Sequence, residues 1–165
     1  MYKLIIGIRS KLLVLLTHHL ALPVLKLIRK PLVFPYKCTQ LQSFPEGTLG
    51  KDLIQLLNEN KFELLTHYAK HDMKHILLDY PTTDKGEVSL QAFMLGNGHI
   101  SFPVISTILF GIVTMPEHWP AFKNAYRRGK QAIPISNLDW FSIVTLPTEL
   151  IKSTIFPPGK FDYTI

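Results

Sequence analysis

The segment HDMKHILLDYPTTDKGE, residues 71–87, gathers side chains that bind metals or move protons. His71, Asp72 and His75 fall within five residues, and Glu87 follows a gap that contains Pro81. Histidines four residues apart lie one turn apart on the same helix face, so both imidazoles can be aimed at one ion, as in helical HExxH sites. Asp72, beside His71, can be a ligand or a carboxylate that orients one. Glu87 would add an oxygen from the next helix. A His/Asp/His/Glu set suits Zn²⁺, Fe²⁺, Co²⁺ or Mn²⁺, and the ligand types alone do not choose among them. A purely structural reading competes. Asp84-x-x-Glu87 has the form of a capping box, with Asp84 at the N-cap and Glu87 at N3. Core histidines, moreover, are often satisfied by a carbonyl. Spacing alone leaves both readings open.

Helices must position these groups, because helical spacing dominates the chain and period-2 alternation is scarce. Asn60 can cap a helix over 61–79 in which Leu64, Tyr68, His71, His75 and Leu78 make one stripe, with Leu65, Ala69, Asp72 and Ile76 beside it. That wheel turns both histidines toward the core, where an unpartnered polar group costs about 1–3 kcal/mol. Residues 3–30 read as one or two helices broken near Pro23, and 30–47 as a Pro-punctuated loop. Thr48 can cap a helix over 49–58 with Leu49, Leu53, Leu56 and Leu57 on one face. A helix at 85–96 is stopped by GNG. Pro103 opens the apolar run PVISTILFGIVT, which reads as a buried core helix that could also wall a prenyl tunnel. Pro116 opens an amphipathic helix that stops at Gly129, and Pro147 starts a last one. The expected fold is all-α, a single-domain bundle of six to eight helices. It has a basic amphipathic segment at 1–30 and a metal-binding helical domain at 44–165.

Composition bounds the function. The chain has 165 residues, 47% of them hydrophobic and 18% charged, which excludes a disordered solvating polypeptide. A single cysteine, Cys38, excludes a disulfide framework or a cysteine-rich zinc module. The net charge of +6 is uneven: residues 1–45 carry seven Lys/Arg and no acid, whereas 46–165 hold eleven basic against twelve acidic residues. A basic, Leu/Ile-rich leader without clustered aromatics points to an anionic membrane surface and away from nucleic acid. Its uncharged run, Leu12 to Leu25, is shorter than the roughly 20 residues a membrane span needs. The leader reads either as a retained membrane-apposed or core-packing helix or as cleaved targeting sequence. Arg127, Arg128 and Lys130 read as last-turn cations sooner than as an anion site. His67 reads as a surface residue, GTLGK lacks phosphate-loop spacing, and no nucleophilic triad is evident.

The His71-Asp72-x-x-His75 spacing followed by Glu87 resembles the signature of the coenzyme Q biosynthesis protein four family. FPEGTLGKDLIQLL (44–57), GEVSLQAF (86–93), AYRRGKQA (125–132), LDW (138–140) and LPTELIKSTI (146–155) are similar to further blocks of that family, in the same order. The resemblance implies an all-helical, peripheral membrane protein of ubiquinone biosynthesis. It would hold a divalent cation, zinc first, at His71, Asp72, His75 and Glu87. It would engage polyprenylated quinone precursors, help assemble the other quinone-biosynthesis enzymes, and is compatible with a homodimer. The site would be the cytoplasmic side of a bacterial membrane or the matrix side of the mitochondrial inner membrane. The family is also linked to replacing the ring carboxyl at C1 of a 4-hydroxy-3-polyprenylbenzoate-type precursor with hydroxyl. Nothing resembles a flavin or nicotinamide fold, so redox power would come from the metal or a partner. Two departures stand out: Lys74 occupies a position where many relatives carry Trp, and Asp79 one where many carry Gly.

Three functions of different classes follow: a metal-dependent enzyme of quinone biosynthesis, a non-catalytic lipid-binding scaffold with a structural metal, and a metal-dependent hydrolase. For the leader, deletion of residues 1–30 is expected to release the protein from anionic liposomes in a flotation assay. Unchanged binding would contradict the membrane-surface reading.

Overall fold

The computed structural model describes residues 33–157, so the expected helices over 3–30 lie outside the described residues. Among the described residues there are seven α-helices: α1 Cys38–Gln42, α2 Leu49–Asn60, α3 Ala69–Leu78, α4 Asp84–Gly96, α5 Phe102–Thr114, α6 Trp119–Gln131 and α7 Thr148–Ile155. No strand occurs among the described residues, and the all-helical expectation holds. Two compact units share these elements: residues 33–80 with 131–157, and residues 81–130.

In the unit formed by 33–80 and the C-terminal residues, α2 buries Leu49, Leu53 and Leu57, one turn apart, together with Ile54. The short helix α1 lies inside what the prolines mark as a loop, and it buries Leu41 against this core. α2 and α7 start side by side. The Leu49 N–H donates to the Leu146 carbonyl at 3.0 Å and the Thr148 N–H to the Gly47 carbonyl at 2.8 Å. The Thr148 hydroxyl donates to the Asp52 carboxylate across the same junction. Phe34 closes one end, its ring tilted against Tyr36 and edge-on to Phe141 at 5.4 and 5.5 Å between ring centroids.

One expected boundary is wrong here. The helix read as 61–79 is only Ala69–Leu78, and Asn60 is the last residue of α2 instead of a cap. Lys61 enters the left-handed region at φ 56°, and the Phe62 N–H turns back to the Leu57 carbonyl at 2.8 Å, closing α2 as a Schellman-type turn. Leu64 and Leu65 therefore precede α3, and Tyr68 only caps it. The fully buried stripe of α3 is Ala69, Met73 and Leu77, not the one through Leu64, Tyr68 and His71.

In the unit formed by 81–130, α4 packs along α5 and α6 through glycines. A Cβ on Gly129 would fall 2.1 Å from the Phe93 carbonyl oxygen, and one on Gly96 would fall 2.1 Å from that of Tyr126. Gly129 is thus a contact point inside α6, which runs on to Gln131, and not the expected stop. The Asn97 side chain donates to the Gly129 carbonyl at 3.0 Å, fixing the crossing. α5 is not the wholly buried helix its composition suggests. Val104, Thr107, Phe110 and Gly111 are buried, while Ile105, Leu109, Ile112 and Val113 are exposed. No helix of the described residues is long and apolar enough to cross a membrane.

Gly129→Ala is expected to destabilise the protein by about 1–3 kcal/mol, because backbone at the crossing cannot yield as a flexible side chain can. Urea unfolding measures this, and an unchanged midpoint would contradict the close crossing.

Candidate metal centre

α3 carries the two histidines on adjacent turns. His75 is 2% exposed, so both of its ring nitrogens need partners. Its Nδ1 lies 2.9 Å from the Tyr80 carbonyl oxygen. A carbonyl only accepts, so Nδ1 carries the proton and Nε2 offers a lone pair. That Nε2 faces Nε2 of the half-buried His71 at 3.1 Å, with the rings nearly edge-to-face. Two imidazole nitrogens on a tetrahedral ion with bonds of 2.0–2.1 Å stand about 3.3 Å apart. The pair therefore has the spacing of two ligands of one ion. A backbone carbonyl on the remote nitrogen is the usual means of fixing the tautomer of a metal-binding imidazole.

The carbonyl is presented by the turn that ends α3. Asp79 adopts φ 56°, in the left-handed region, and the Tyr80 N–H returns to the His75 carbonyl at 3.2 Å. Asp is among the residues that tolerate this conformation, which accounts for its standing where a glycine would also serve. Unlike glycine, Asp79 adds a tether: its carboxylate accepts from the Lys152 ammonium of α7 at 2.6 Å. Partial burial lowers the Lys152 pKa, but Asp79 and Glu149 more than offset this and raise it above its ordinary 10.5. The tether's contribution is thus present below that pH and is lost as pH rises through the raised value. Exposure of Asp79 keeps it modest, about 0–1 kcal/mol.

Glu87 lies on α4, reached from α3 through the linker 79–83. The sequence offered Asp84 as the N-cap, but the cap is Thr83, whose hydroxyl accepts from the Gly86 N–H at 3.2 Å. This moves Gly86 to N3 and leaves Glu87 one position beyond it, outside any capping box. Gly86 itself permits the tight entry, since a Cβ there would fall 1.8 Å from the Pro81 carbonyl oxygen. With the capping role gone, the Glu87 carboxylate has the chemistry of a ligand. Together His71, His75 and Glu87 could hold a metal ion. Asp72 is not in that donor set; it sits half-buried on α3, its N–H bonded to the Tyr68 carbonyl at 3.2 Å.

Of the remaining candidates, His67 is exposed as expected, and Cys38 is exposed on α1. Arg128 spends its charge on the Phe93 ring, 5.9 Å from the centroid. Sequence reasoning missed two features. The Tyr80 carbonyl is a backbone atom and carries no residue-type signal. Lys74 is directed at Trp140, at 5.9 Å from the ring centroid, and burial, followed by the charge of Lys70, lowers its pKa to about 8.

No protein-family model and no curated protein matches the chain. Among solved structures it is similar to the crystal structure of a "putative ubiquinone biosynthesis protein" from Nostoc punctiforme. The TM-score is 0.61 at 23% identity, covering 76% of this chain and 69% of that one. At that identity the likeness establishes the shared all-helical fold.

The Asp79 turn yields a prediction. Asp79→Gly is expected to change stability by less than about 1 kcal/mol, since relief at positive φ offsets the lost tether, whereas Asp79→Val should cost about 1–3 kcal/mol. Equal urea midpoints for the two variants would contradict a left-handed turn at this position.

Proposed function

We propose that the protein acts in ubiquinone biosynthesis by metal-assisted chemistry at C1 of a polyprenylated hydroxybenzoate. The observation that carries this is the histidine pair. His75 is buried and locked by a carbonyl, and the Nε2 atoms of His71 and His75 face each other at 3.1 Å. A divalent cation, zinc first, with iron, cobalt and manganese also matching the donors, would be held by His71, His75 and Glu87, with Asp72 binding or orienting. When bound, such a cation supplies Lewis acidity toward a ring carboxylate or phenolate. The chain's own residues do the rest. Tyr80 fixes the His75 tautomer through its carbonyl, and burial of that imidazole limits water at its side of the site. The likeness in fold to a solved "putative ubiquinone biosynthesis protein" supports the pathway assignment.

A prenylated substrate also needs an apolar berth. α5 and α6 border an apolar groove of about 410 Å³, lined by Ala92, Leu95, Ile108, Ile112, Trp119 and Tyr126. Its dimensions and lining suit an isoprenoid chain. The same groove favours the second reading, a lipid-binding scaffold for the other quinone-biosynthesis enzymes whose metal is structural. On either reading the protein works at an anionic membrane surface.

Elemental analysis of the purified protein, paired with His75→Ala, tests the metal and separates the readings. The wild type should carry about one ion per chain, and His75→Ala should lose it and drop turnover of a prenylated 4-hydroxybenzoate by at least about 100-fold. A variant that loses metal, stays folded and still rescues a quinone-deficient strain would refute the catalytic reading. Turnover of phosphate or ester substrates without oxygen would indicate a hydrolase instead.

A further inference from the structure

In the unit of residues 81–130, α5 leaves an apolar stripe in water. Phe102, Ile105, Leu109, Ile112 and Val113 recur at helical spacing and are 38–78% exposed. α5 carries no charged residue. Ile112 also lines the apolar groove with Trp119, Lys123 and Tyr126, so the stripe runs on into the exposed side of α6. Trp119 is tied to α5, because its indole N–H donates to the Ile112 carbonyl at 2.9 Å. Lys123, Arg127 and Lys130 fall at i, i+4 and i+7 of α6 and are all exposed. Residues 102–131 hold four cations and one acid, Glu117, which has the His118 imidazole 4.0 Å away. A contiguous exposed apolar patch marks an interaction surface, and charge of one sign beside it selects an anionic partner. An apolar helix face with aromatics at its border and long cationic side chains next to them has the composition of an interfacial membrane helix.

We propose that the α5–α6 face docks on an anionic lipid leaflet. The α5 stripe lies in the plane of the headgroup–acyl boundary, with Trp119 and Tyr126 at its edge and Lys123, Arg127 and Lys130 toward lipid phosphates. A second copy of the chain fits this face less well, since a symmetric contact would bring the same three cations together. The basic leader is a separate signal. One weak signal gives marginal, reversible binding and two give stable anchoring, so loss of either should release the chain. The surface needs neither a metal nor a quinone precursor, and it stands apart from the proposed chemistry.

Tryptophan fluorescence of the full chain tests it, with vesicles of phosphatidylglycerol and phosphatidylcholine whose acyl chains are brominated. The chain has two tryptophans, the exposed Trp119 and the buried Trp140, and none in the leader, so quenching by bromine reports on this face. The anionic vesicles should quench the Trp119 emission and shift it to the blue, and pure phosphatidylcholine vesicles should not. Leu109→Asp or Val113→Asp, at exposed positions, should keep the urea midpoint, abolish the quenching and weaken vesicle binding by at least about tenfold. Lys123→Gln with Arg127→Gln should weaken it by about fivefold per cation removed. Vesicle binding with Trp119 unquenched would place the contact in the leader alone and overturn the proposal. Undiminished binding by a folded Val113→Asp variant would overturn it too, and if that variant also dissociated a dimer, the face would be a contact between copies.

Discussion

A buried imidazole has two nitrogens to satisfy, and the way His75 satisfies them governs what the protein can do. The Tyr80 carbonyl takes the Nδ1 proton at 2.9 Å, which commits Nε2 to be an acceptor or a ligand. The rest of the site follows from that commitment. The carbonyl is available only because α3 ends in a left-handed turn at Asp79, and that turn is tied to α7 through Lys152. His71, one turn earlier, brings its own Nε2 to 3.1 Å. A contact of that kind between two imidazoles is satisfied by one shared proton or by one ion bound to both nitrogens. Both use the same atoms, so the pair is already arranged before any ion arrives.

Much of this was legible in the sequence. The i, i+4 spacing put His71 and His75 on adjacent turns, and the polar character of a core-facing position marked His75 as needing a partner. The all-helical fold followed from periodicity. What escaped was decided by backbone and by packing. Residues 58–68 contain neither Gly nor Pro, so nothing in NENKFELLTHY announces that Lys61 turns left-handed and ends α2. Thr83 and Asp84 are both good caps, and only the Gly86 N–H chooses between them. That choice carries weight, because it decides whether Glu87 closes a capping box or is left with ligand chemistry.

Composition misled most at α5 and α6. A helix with the sequence FPVISTILFGIVT reads as core, yet only the face carrying Val104, Thr107, Phe110 and Gly111 is buried. Hydrophobicity reports that a face will seek an apolar neighbour; it does not say that the neighbour belongs to the same chain. Gly129 was misread for a related reason. A glycine near a helix end resembles a stop signal, but here the missing Cβ admits the Phe93 carbonyl.

The central claim is that His71 and His75 are ligands of one metal ion. X-ray absorption at the metal edge of the purified protein tests it most directly. The account predicts a shell of nitrogen and oxygen scatterers with multiple-scattering features of two imidazoles, reduced to one in His71→Ala. A metal without imidazole signatures, or a spectrum unchanged by His71→Ala, would contradict it.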